Sequence, residues 1–406
     1  MRILIVGINF FPELTGIGKY TGELAAYLAA EKHEVRVITA PPYYPQWYVN
    51  EPYRSWQYLH EQWEGVEVFR CPLWVPRKPS GIKRLLHLCS FVFFSFPVLL
   101  IQGTWKPDLI LNIAPSIFTA LPVLFLSKFC SAKSWLHIQD FEMEAAFNLG
   151  ILPGSLGFRK FTARFELALI KGFDRVSTIS QRMVDRLWEK GVPEERTVLF
   201  PNWIDTDLIQ PLLQTNAFRT EWKISSDQFV VLYSGNMGRK QGLEILLETA
   251  RQLSETKDIL FLLCGDGAEK AELQEKAKDL PNVRFYPLQP IVRLNDLLNL
   301  ADIHVLPQRP DAADLVMPSK LSGMLASGKA VVATATLNSE LGRIVNEVGK
   351  LTQPGSATEL SAAILLLKND LEERDLLGAK GRNWVIQHWS KKHILSTIKQ
   401  ALEGML

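Results

Sequence analysis

The fold is decided by the stretch FVVLYSGNMGRKQG, residues 229–242, in the second half of the chain. Its first residues are almost all apolar, which is typical of a parallel strand that is covered on both faces. The glycines and cations that follow predict a turn, and residues 243–253 have the apolar spacing of a helix. A strand, a glycine-bearing turn and a helix in this order predict one βα unit of a doubly wound sheet.

The same pattern occurs along the whole chain. It opens with an apolar strand at residues 2–7, a loop at 8–18, a helix at 19–30 and a strand at 34–39. Further strands are predicted at residues 107–112, 134–138, 175–179, 260–264, 283–285, 303–306 and 330–334. Two consecutive βα series predict an α/β fold with two Rossmann-like doubly wound domains, divided within the Pro- and Asn-bearing stretch 201–228.

Composition excludes several classes of protein. The chain has 406 residues, 47% apolar and 22% charged, which is ordinary for soluble globular proteins and unlike a disordered or collagenous chain. With 45 basic and 43 acidic residues the net charge is +2, so the protein as a whole has no electrostatic attraction for nucleic acid. The four cysteines are interpreted as reduced thiols of a cytoplasmic protein, and the seven histidines show no metal-binding spacing, so no metal is expected.

The turn that begins at Gly235 is the first candidate for anion binding. Gly235 and Gly238, on either side of Asn236, leave room beside the backbone, and Arg239 and Lys240 supply positive charge before a helix. This combination suits a diphosphate that is held without a metal. The alternative is a βα turn with two solvated cations.

The first loop is a second candidate. Gly16 and Gly18 precede a helix, where free backbone N–H groups favour an anion, so contact with a phosphate or sugar is predicted. A plain turn is the alternative. Binding of a dinucleotide is disfavoured because a long loop separates these glycines from the first strand and because no acidic residue follows the second strand.

Two shorter motifs also lie where ligands bind in α/β sheets. The motif at residues 265–267 follows the end of a strand, although it would also make a good turn. The motif at residues 318–320 begins a helix and suits an anion, although its serine would also serve as an N-cap. The residues are Gly265, Asp266 and Gly267 in the first motif, and Pro318, Ser319 and Lys320 in the second.

His137 and Asp140 are candidates for proton transfer or for hydrogen bonds to substrate hydroxyl groups. They lie at the end of a predicted strand, and His137 shares one face with Gln139 because side chains alternate along a strand. A single histidine in a strand is more often structural, so that alternative stays open for His137.

Residues 77–104 combine a basic segment with an apolar one. Arg77, Lys78, Lys83 and Arg84 precede the uncharged stretch 85–101. This stretch is shorter than a usual membrane span, so a buried core helix, an interfacial helix that docks on a membrane and a true span are all open.

Taken in order, these motifs resemble family 4 of the retaining glycosyltransferases, which have the GT-B fold. The resemblance covers essentially the whole chain and is closest to the colanic-acid biosynthesis subgroup, in which a fucosyltransferase role is the usual assignment. The motifs that carry it are residues 7–13, 16–18, 33–35, 180, 200–205, 234–242, 265–267, 301–302, 316–320 and 326–329.

The resemblance implies two domains that face each other across a cleft, with an acceptor-side domain at 1–205, a donor domain at 206–380 and a returning helix at 381–406. It implies that Arg239 and Lys240 bind the diphosphate of a nucleotide sugar and that Gly265 and Asp266 lie near the nucleoside. The acceptor would be a lipid-linked glycan, and the enzyme would be cytoplasmic and peripheral on the membrane.

Two positions depart from the family pattern. Relatives often have a pair of glutamates, one of which binds the ribose, where this chain has Leu315 and Gly323, so Asp311 or Asp314 is the substitute we consider. Relatives also often have histidine where this chain has Gln139. A nucleotide-sugar 2-epimerase and a non-catalytic subunit that binds the donor are therefore kept as alternatives.

Overall fold

The computed structural model describes residues 1–13, 16–114, 117–141, 156–212, 216–309 and 319–406, and the side chains of 156, 158–161 and 240 are outside that description. The chain forms two compact units. Unit 1 comprises Met1–Pro201 with Leu395–Leu406, and unit 2 comprises Asn202–Ile394. The divisions expected from the sequence were at residues 205 and 380. The predicted class, two Rossmann-like α/β domains, is confirmed by the sheets of both units.

Unit 1 contains an eight-stranded sheet with the strand order β3-β4-β2-β1-β5-β6-β7-β8. All neighbouring strands are parallel except β3 and β4. Its strands are β1 (Arg2–Val6), β2 (Glu34–Thr39), β3 (Leu59–Trp63), β4 (Val66–Arg70), β5 (Leu109–Ala114), β6 (Lys133–Ile138), β7 (Arg175–Thr178) and β8 (Thr197–Leu199).

The helices of unit 1 cover the two faces of this sheet. They are α1 (Gly16–Ala30), α2 (Gly81–Trp105), α3 (Ala120–Cys130), α4 (Leu156–Gly172) and α5 (Gln181–Glu189). The strand order reverses between β1 and β5, where Ile3 pairs with Val35 on one side and with Leu109 on the other. Such a switch point is where ligands bind in open α/β sheets, beyond the carboxyl ends of the strands.

Helix α2 extends the predicted segment to 25 residues. One stripe of it is buried, with His87, Phe91, Ser95 and Leu99 recurring every four residues, and it packs against α3. Much of the remaining surface is exposed, so α2 is not a fully buried core helix. Within the described residues it alone has the length and apolar composition to cross a bilayer, with a mean hydropathy of 2.0 over an 18-residue window.

Unit 2 contains a six-stranded, fully parallel sheet with the order β11-β10-β9-β12-β13-β14. This is the strand order of a Rossmann fold, and its switch point lies between β9 and β12. The strands are β9 (Phe229–Ser234), β10 (Ile259–Cys264), β11 (Val283–Tyr286), β12 (Ile303–Pro307), β13 (Ala330–Thr334) and β14 (Lys350–Thr352).

The last helices complete the two units. Helices α6 to α13 belong to unit 2, and most of α14 belongs to unit 1. Their bounds are α6 (Ala217–Glu221), α7 (Glu244–Gln252), α8 (Lys270–Lys276), α9 (Leu294–Asn299), α10 (Lys320–Ala326), α11 (Glu340–Val348), α12 (Ala357–Asn369), α13 (Leu371–His388) and α14 (Lys391–Glu403).

The end of the chain is held in unit 1 by both apolar and charged contacts. Leu395, Ile398 and Leu402 are buried. Lys399 forms an ion pair with Glu31, just after α1, and Glu403 lies 3.4 Å from the imidazole of His33. The chain therefore leaves unit 1 at residue 201 and returns to it at residue 395.

Candidate functional site

The switch point of unit 2 brings together Lys320 at the start of α10 and Tyr233 near the end of β9. The Lys320 ammonium Nζ lies 2.5 Å from the Tyr233 hydroxyl and 3.3 Å from the carbonyl oxygen of Asn236. The Tyr233 hydroxyl in turn donates to the same carbonyl at 2.5 Å. An ammonium has three N–H donors, and among the described residues only these two acceptors engage it.

Burial makes this lysine easy to deprotonate. Removal of the ammonium from water lowers the pKa of Lys320 to about 8, and burial raises the pKa of the Tyr233 hydroxyl well above its ordinary value. Lys320 is therefore charged at neutral pH and loses its charge as the pH rises through about 8. A bound anion would favour the charged form.

Glycines allow the backbone of the loops after β9 and β10 to meet directly. A methyl group added at Gly265 would stand 1.9 Å from the carbonyl oxygen of Gly235, and one at Gly267 would stand 2.3 Å from that of Met237. Gly235 also makes room for Lys320, because a methyl group there would stand 2.3 Å from the lysine Cε. Only glycine fits these three positions without rearrangement.

Backbone hydrogen bonds join the same two loops. Gly235 N–H donates to the Cys264 carbonyl at 2.8 Å, and Met237 N–H donates to the Asp266 carbonyl at 2.7 Å. The Asp266 side chain is exposed and accepts from the N–H of Gly267 at 2.9 Å. These contacts fix the loops that carry the predicted donor-binding residues.

The other predicted residues of this site are placed differently. Arg239 is exposed on a short 3-10 turn, and its guanidinium makes no hydrogen bond or ion pair within the described part of the chain. The side chain of Lys240 and all of Pro318 lie outside the described residues. Gly238 and Asn236 lie in contact, and Ser319 is exposed and makes no capping hydrogen bond.

Four positions bear on how a ribose would be bound. Asp311, Asp314 and Leu315 lie outside the described residues. Gly323 is buried in α10, and a methyl group added there would make an ordinary 3.4 Å contact with Leu298.

In unit 1, Gly18 lies beside the buried carboxylate of Glu13, a residue that was not among the predicted site residues. Gly16 has a φ of +61°, in the left-handed region that favours glycine, and a methyl group at Gly18 would stand 2.7 Å from Glu13. Glu13 accepts from the backbone N–H groups of Tyr43 and Tyr44, each at 2.9 Å. Burial raises the pKa of Glu13, although these hydrogen bonds oppose that effect.

His137 is buried and both of its ring nitrogens have partners. Nδ1 lies 2.9 Å from the Ser177 hydroxyl, and Nε2 lies 2.8 Å from the amide nitrogen of Gln139. Burial lowers the pKa of His137 to about 3, so the ring is neutral, which favours the structural alternative. Asp140 is exposed directly beyond β6.

The described ranges contain no group of three or more His, Cys, Asp or Glu side chains that could hold a metal ion. All four cysteines are free thiols.

Comparison with known proteins gives matches to both halves of the chain. The family described as glycosyl transferase 4-like domain matches residues 15–203, and the family described as glycosyl transferases group 1 matches residues 214–384. The colanic acid biosynthesis glycosyl transferase WcaI of Escherichia coli K12 is 42% identical over 92% of this chain and 95% of its own length.

Solved structures support the same fold. The sucrose-phosphate synthase of Thermosynechococcus elongatus aligns with a TM-score of 0.75 at 18% identity, over 99% of this chain and 98% of the other. Anabaena Alr3699/HepE in complex with UDP aligns with a TM-score of 0.70 at 17% identity, over 100% of both chains. At this level of identity the likeness extends to the fold alone.

Proposed function

Because this chain belongs to the group 1 glycosyltransferases, we propose that it is a retaining, metal-independent enzyme that moves a sugar from a nucleoside diphosphate to a lipid-linked oligosaccharide. Exopolysaccharide biosynthesis is the proposed setting, following WcaI, which is named for colanic acid biosynthesis. Fucose from GDP-fucose is the proposed donor. The observation that carries the proposal is the Lys320 ammonium held at the switch point of unit 2.

The chemistry requires stabilisation of a leaving diphosphate. The bond between the anomeric carbon and the diphosphate oxygen breaks, a new bond forms to the acceptor hydroxyl oxygen, and a donor phosphate oxygen accepts the hydroxyl proton. Negative charge grows on the diphosphate in the transition state, and a fixed cation in a partly desolvated site stabilises it. Lys320 supplies that cation in place of a metal, with Arg239 and Lys240 as additional cations.

The remaining predicted residues have supporting roles in this proposal. Gly235, Gly265 and Gly267 allow close approach of the backbone, and Asp266 lies towards the nucleoside. In unit 1, Gly16 and Gly18 are proposed to contact a phosphate or sugar, and Asp140 is proposed to hydrogen-bond to sugar hydroxyl groups. His137 acts indirectly, because its nitrogens already bind Ser177 and Gln139.

Calorimetric titration with GDP and UDP in EDTA tests the donor site and identifies the base. We expect one nucleotide to bind wild type at micromolar concentration without metal, and the Arg239→Ala/Lys240→Ala variant to bind it at least tenfold more weakly, since hydrogen bonds to charged groups contribute about 1.5–3 kcal/mol. GDP would indicate fucose or mannose, and UDP would indicate glucose- or galactose-type sugars.

Two other results would count against the proposal. If neither nucleotide binds, the proposed donor site fails. If the nucleotide binds but no sugar is transferred to lipid-linked acceptors, the non-catalytic subunit becomes the better description. Consumption of a nucleotide sugar without an acceptor would instead indicate the 2-epimerase.

We also propose that unit 1 docks on the inner face of the cytoplasmic membrane through α2 and α3. Both helices expose large apolar side chains, and residues 77–107 and 117–133 contain basic but no acidic residues. An exposed apolar face bordered by cations suits an anionic lipid surface. The exposed apolar residues are Ile82, Leu86, Phe93, Phe96, Leu100 and Ile101 on α2, and Leu121, Phe125 and Phe129 on α3.

Flotation with vesicles tests the docking surface. Lys83→Glu/Arg84→Glu is expected to bind vesicles of phosphatidylglycerol and phosphatidylcholine at least tenfold more weakly than wild type, because each basic residue near an anionic surface contributes about 1 kcal/mol. The matched control is Lys278→Glu/Lys380→Glu in unit 2, which makes the same change in net charge at exposed positions. Equal binding by the α2 variant and wild type would contradict the proposal.

A further inference from the structure

We propose that Tyr233 is a positioning residue that fixes the Lys320 ammonium for the donor diphosphate. This inference rests on the proposed function, because it assigns a role to a residue behind the cation of that site. Tyr233 lies in β9, and its side chain is fully buried. Its hydroxyl is the nearer of the two acceptors that hold the lysine.

The direction of the hydrogen bonds supports this role. The Asn236 carbonyl can only accept, so the Tyr233 hydroxyl donates its proton there at 2.5 Å. Its oxygen is then left to accept from the Lys320 ammonium at 2.5 Å. Lys320 therefore donates to the Tyr233 oxygen and to the Asn236 carbonyl, and Tyr233 donates to that same carbonyl. Two of the three ammonium N–H groups are engaged in this way, and the third is left for a ligand.

The surroundings leave the lysine few other positions. Its Cε and Nζ lie against Gly235, where an added methyl group would stand 2.3 Å and 2.7 Å from them. Its ammonium also lies 4.5 Å from the centre of the Tyr233 ring. A lysine side chain is flexible when it is free, so its fixation before the donor binds removes an entropic cost from binding.

Within the described part of the chain, no charged side chain on a neighbouring element is bonded to the lysine. After β10, the Lys270 ammonium Nζ lies 4.0 Å from the Asp266 carboxylate oxygen Oδ1. Arg239 is exposed on the turn after β9. Burial, not a neighbouring charge, lowers the pKa of Lys320. Loss of the Tyr233 oxygen would remove a partner of the charged form and lower that pKa further.

The test is a double-mutant cycle on nucleotide binding, with Tyr233→Phe, Lys320→Met and the combined variant. We expect Tyr233→Phe to weaken binding of the nucleotide that wild type prefers by roughly tenfold or more, as for a lost hydrogen bond to a charged group. In the Lys320→Met background the same change should have less than about a twofold effect, since Tyr233 acts through the lysine. The acceptor KM should not change.

The pH profile provides a readout that a purely structural role would not move. The midpoint of the loss of nucleotide affinity with rising pH should lie lower in Tyr233→Phe than in wild type. Tyr27→Phe makes the same chemical change on α1, outside unit 2, and should behave as wild type. If Tyr233→Phe does not fold, 3-fluorotyrosine at position 233 keeps the ring and the protonated hydroxyl but makes the oxygen a poorer acceptor, and it should weaken binding in the same direction.

Each remaining outcome overturns the inference. Unchanged affinity and pH profile in Tyr233→Phe, or in the fluorinated protein where the phenylalanine variant does not fold, would show that the hydroxyl has no positioning role. An equal loss with and without Lys320 would show that Tyr233 acts by another route. If wild type binds neither GDP nor UDP, the proposed function itself fails, which is distinct from a wild type that binds and a Tyr233 variant that binds equally.

Discussion

Lys320→Met is expected to lower kcat/KM for sugar transfer about 100- to 1000-fold, the loss typical when a fixed donor to a developing charge is removed. Methionine has a similar length and fills the same space against Gly235 and Tyr233, so the fold should survive. The variant would lack the ammonium that stabilises the leaving diphosphate. Initial rates of transfer at saturating acceptor measure the effect.

Lys329→Met is the matched control. Burial also lowers the pKa of Lys329. This lysine directly precedes β13, so it lies at the amino-terminal ends of the parallel strands, whereas the switch-point loops follow their carboxyl ends. Its loss should change kcat/KM less than about threefold, within the range of ordinary substitutions away from a site. Turnover by Lys320→Met at the wild-type rate would contradict the assignment of Lys320.

The same assignment predicts a pH dependence with a definite sign. Lys320 must be charged to attract the diphosphate, and its pKa is lowered to about 8. Nucleotide affinity should therefore fall as the pH rises through about 8. Lys320→Arg should remove this fall, because a guanidinium stays charged throughout that range.

Gly265→Ala is expected to destabilise unit 2 by about 3 kcal/mol or more, as an overpacked interior does when backbone must move. The added methyl group would stand 1.9 Å from the Gly235 carbonyl oxygen, and no side chain can rotate to relieve that contact. The loops after β9 and β10 would have to separate. Thermal melting should show a midpoint lower by roughly 6–12 °C for a unit of this size.

Gly323→Ala provides the control for this prediction. It adds the same methyl group within helix α10, where the nearest atom is 3.4 Å away on a leucine side chain. Alanine is favoured over glycine in a helix by about 1 kcal/mol, so this variant should melt at or above the wild-type temperature. A Gly265→Ala protein with the wild-type melting midpoint would show that the two loops do not meet as described.

The buried parallel strands could be predicted from the sequence because both of their faces are covered. The predicted strands at 34–39 and 330–334 match β2 and β13 residue for residue. Strand β3 is absent from the strands predicted from the sequence. It lies at the edge of the sheet and reads LHEQW, so only part of its surface is apolar and the alternation is weak.

The candidate site could be predicted only where the signal is local. Glycines at strand ends are visible in the sequence, and Gly235, Gly265 and Gly267 do meet in the structure. The contact between Tyr233 and Lys320 joins residues 87 positions apart, and a tyrosine in an apolar strand looks like a core residue. Glu13 was missed for the same reason, because its partners Tyr43 and Tyr44 lie in another loop.

The path of the chain also sets the order in which the molecule can mature on the ribosome. Residues 202–394, which make up the whole of unit 2, are synthesised before residues 395–406 can close unit 1. At about 5–20 residues per second this is a delay of roughly 10–40 s. During that interval the surface that receives Leu395, Ile398 and Leu402 is uncovered in the nascent protein. The first unit to emerge is therefore the last to be completed, and a chain that stops at residue 394 would keep that surface open.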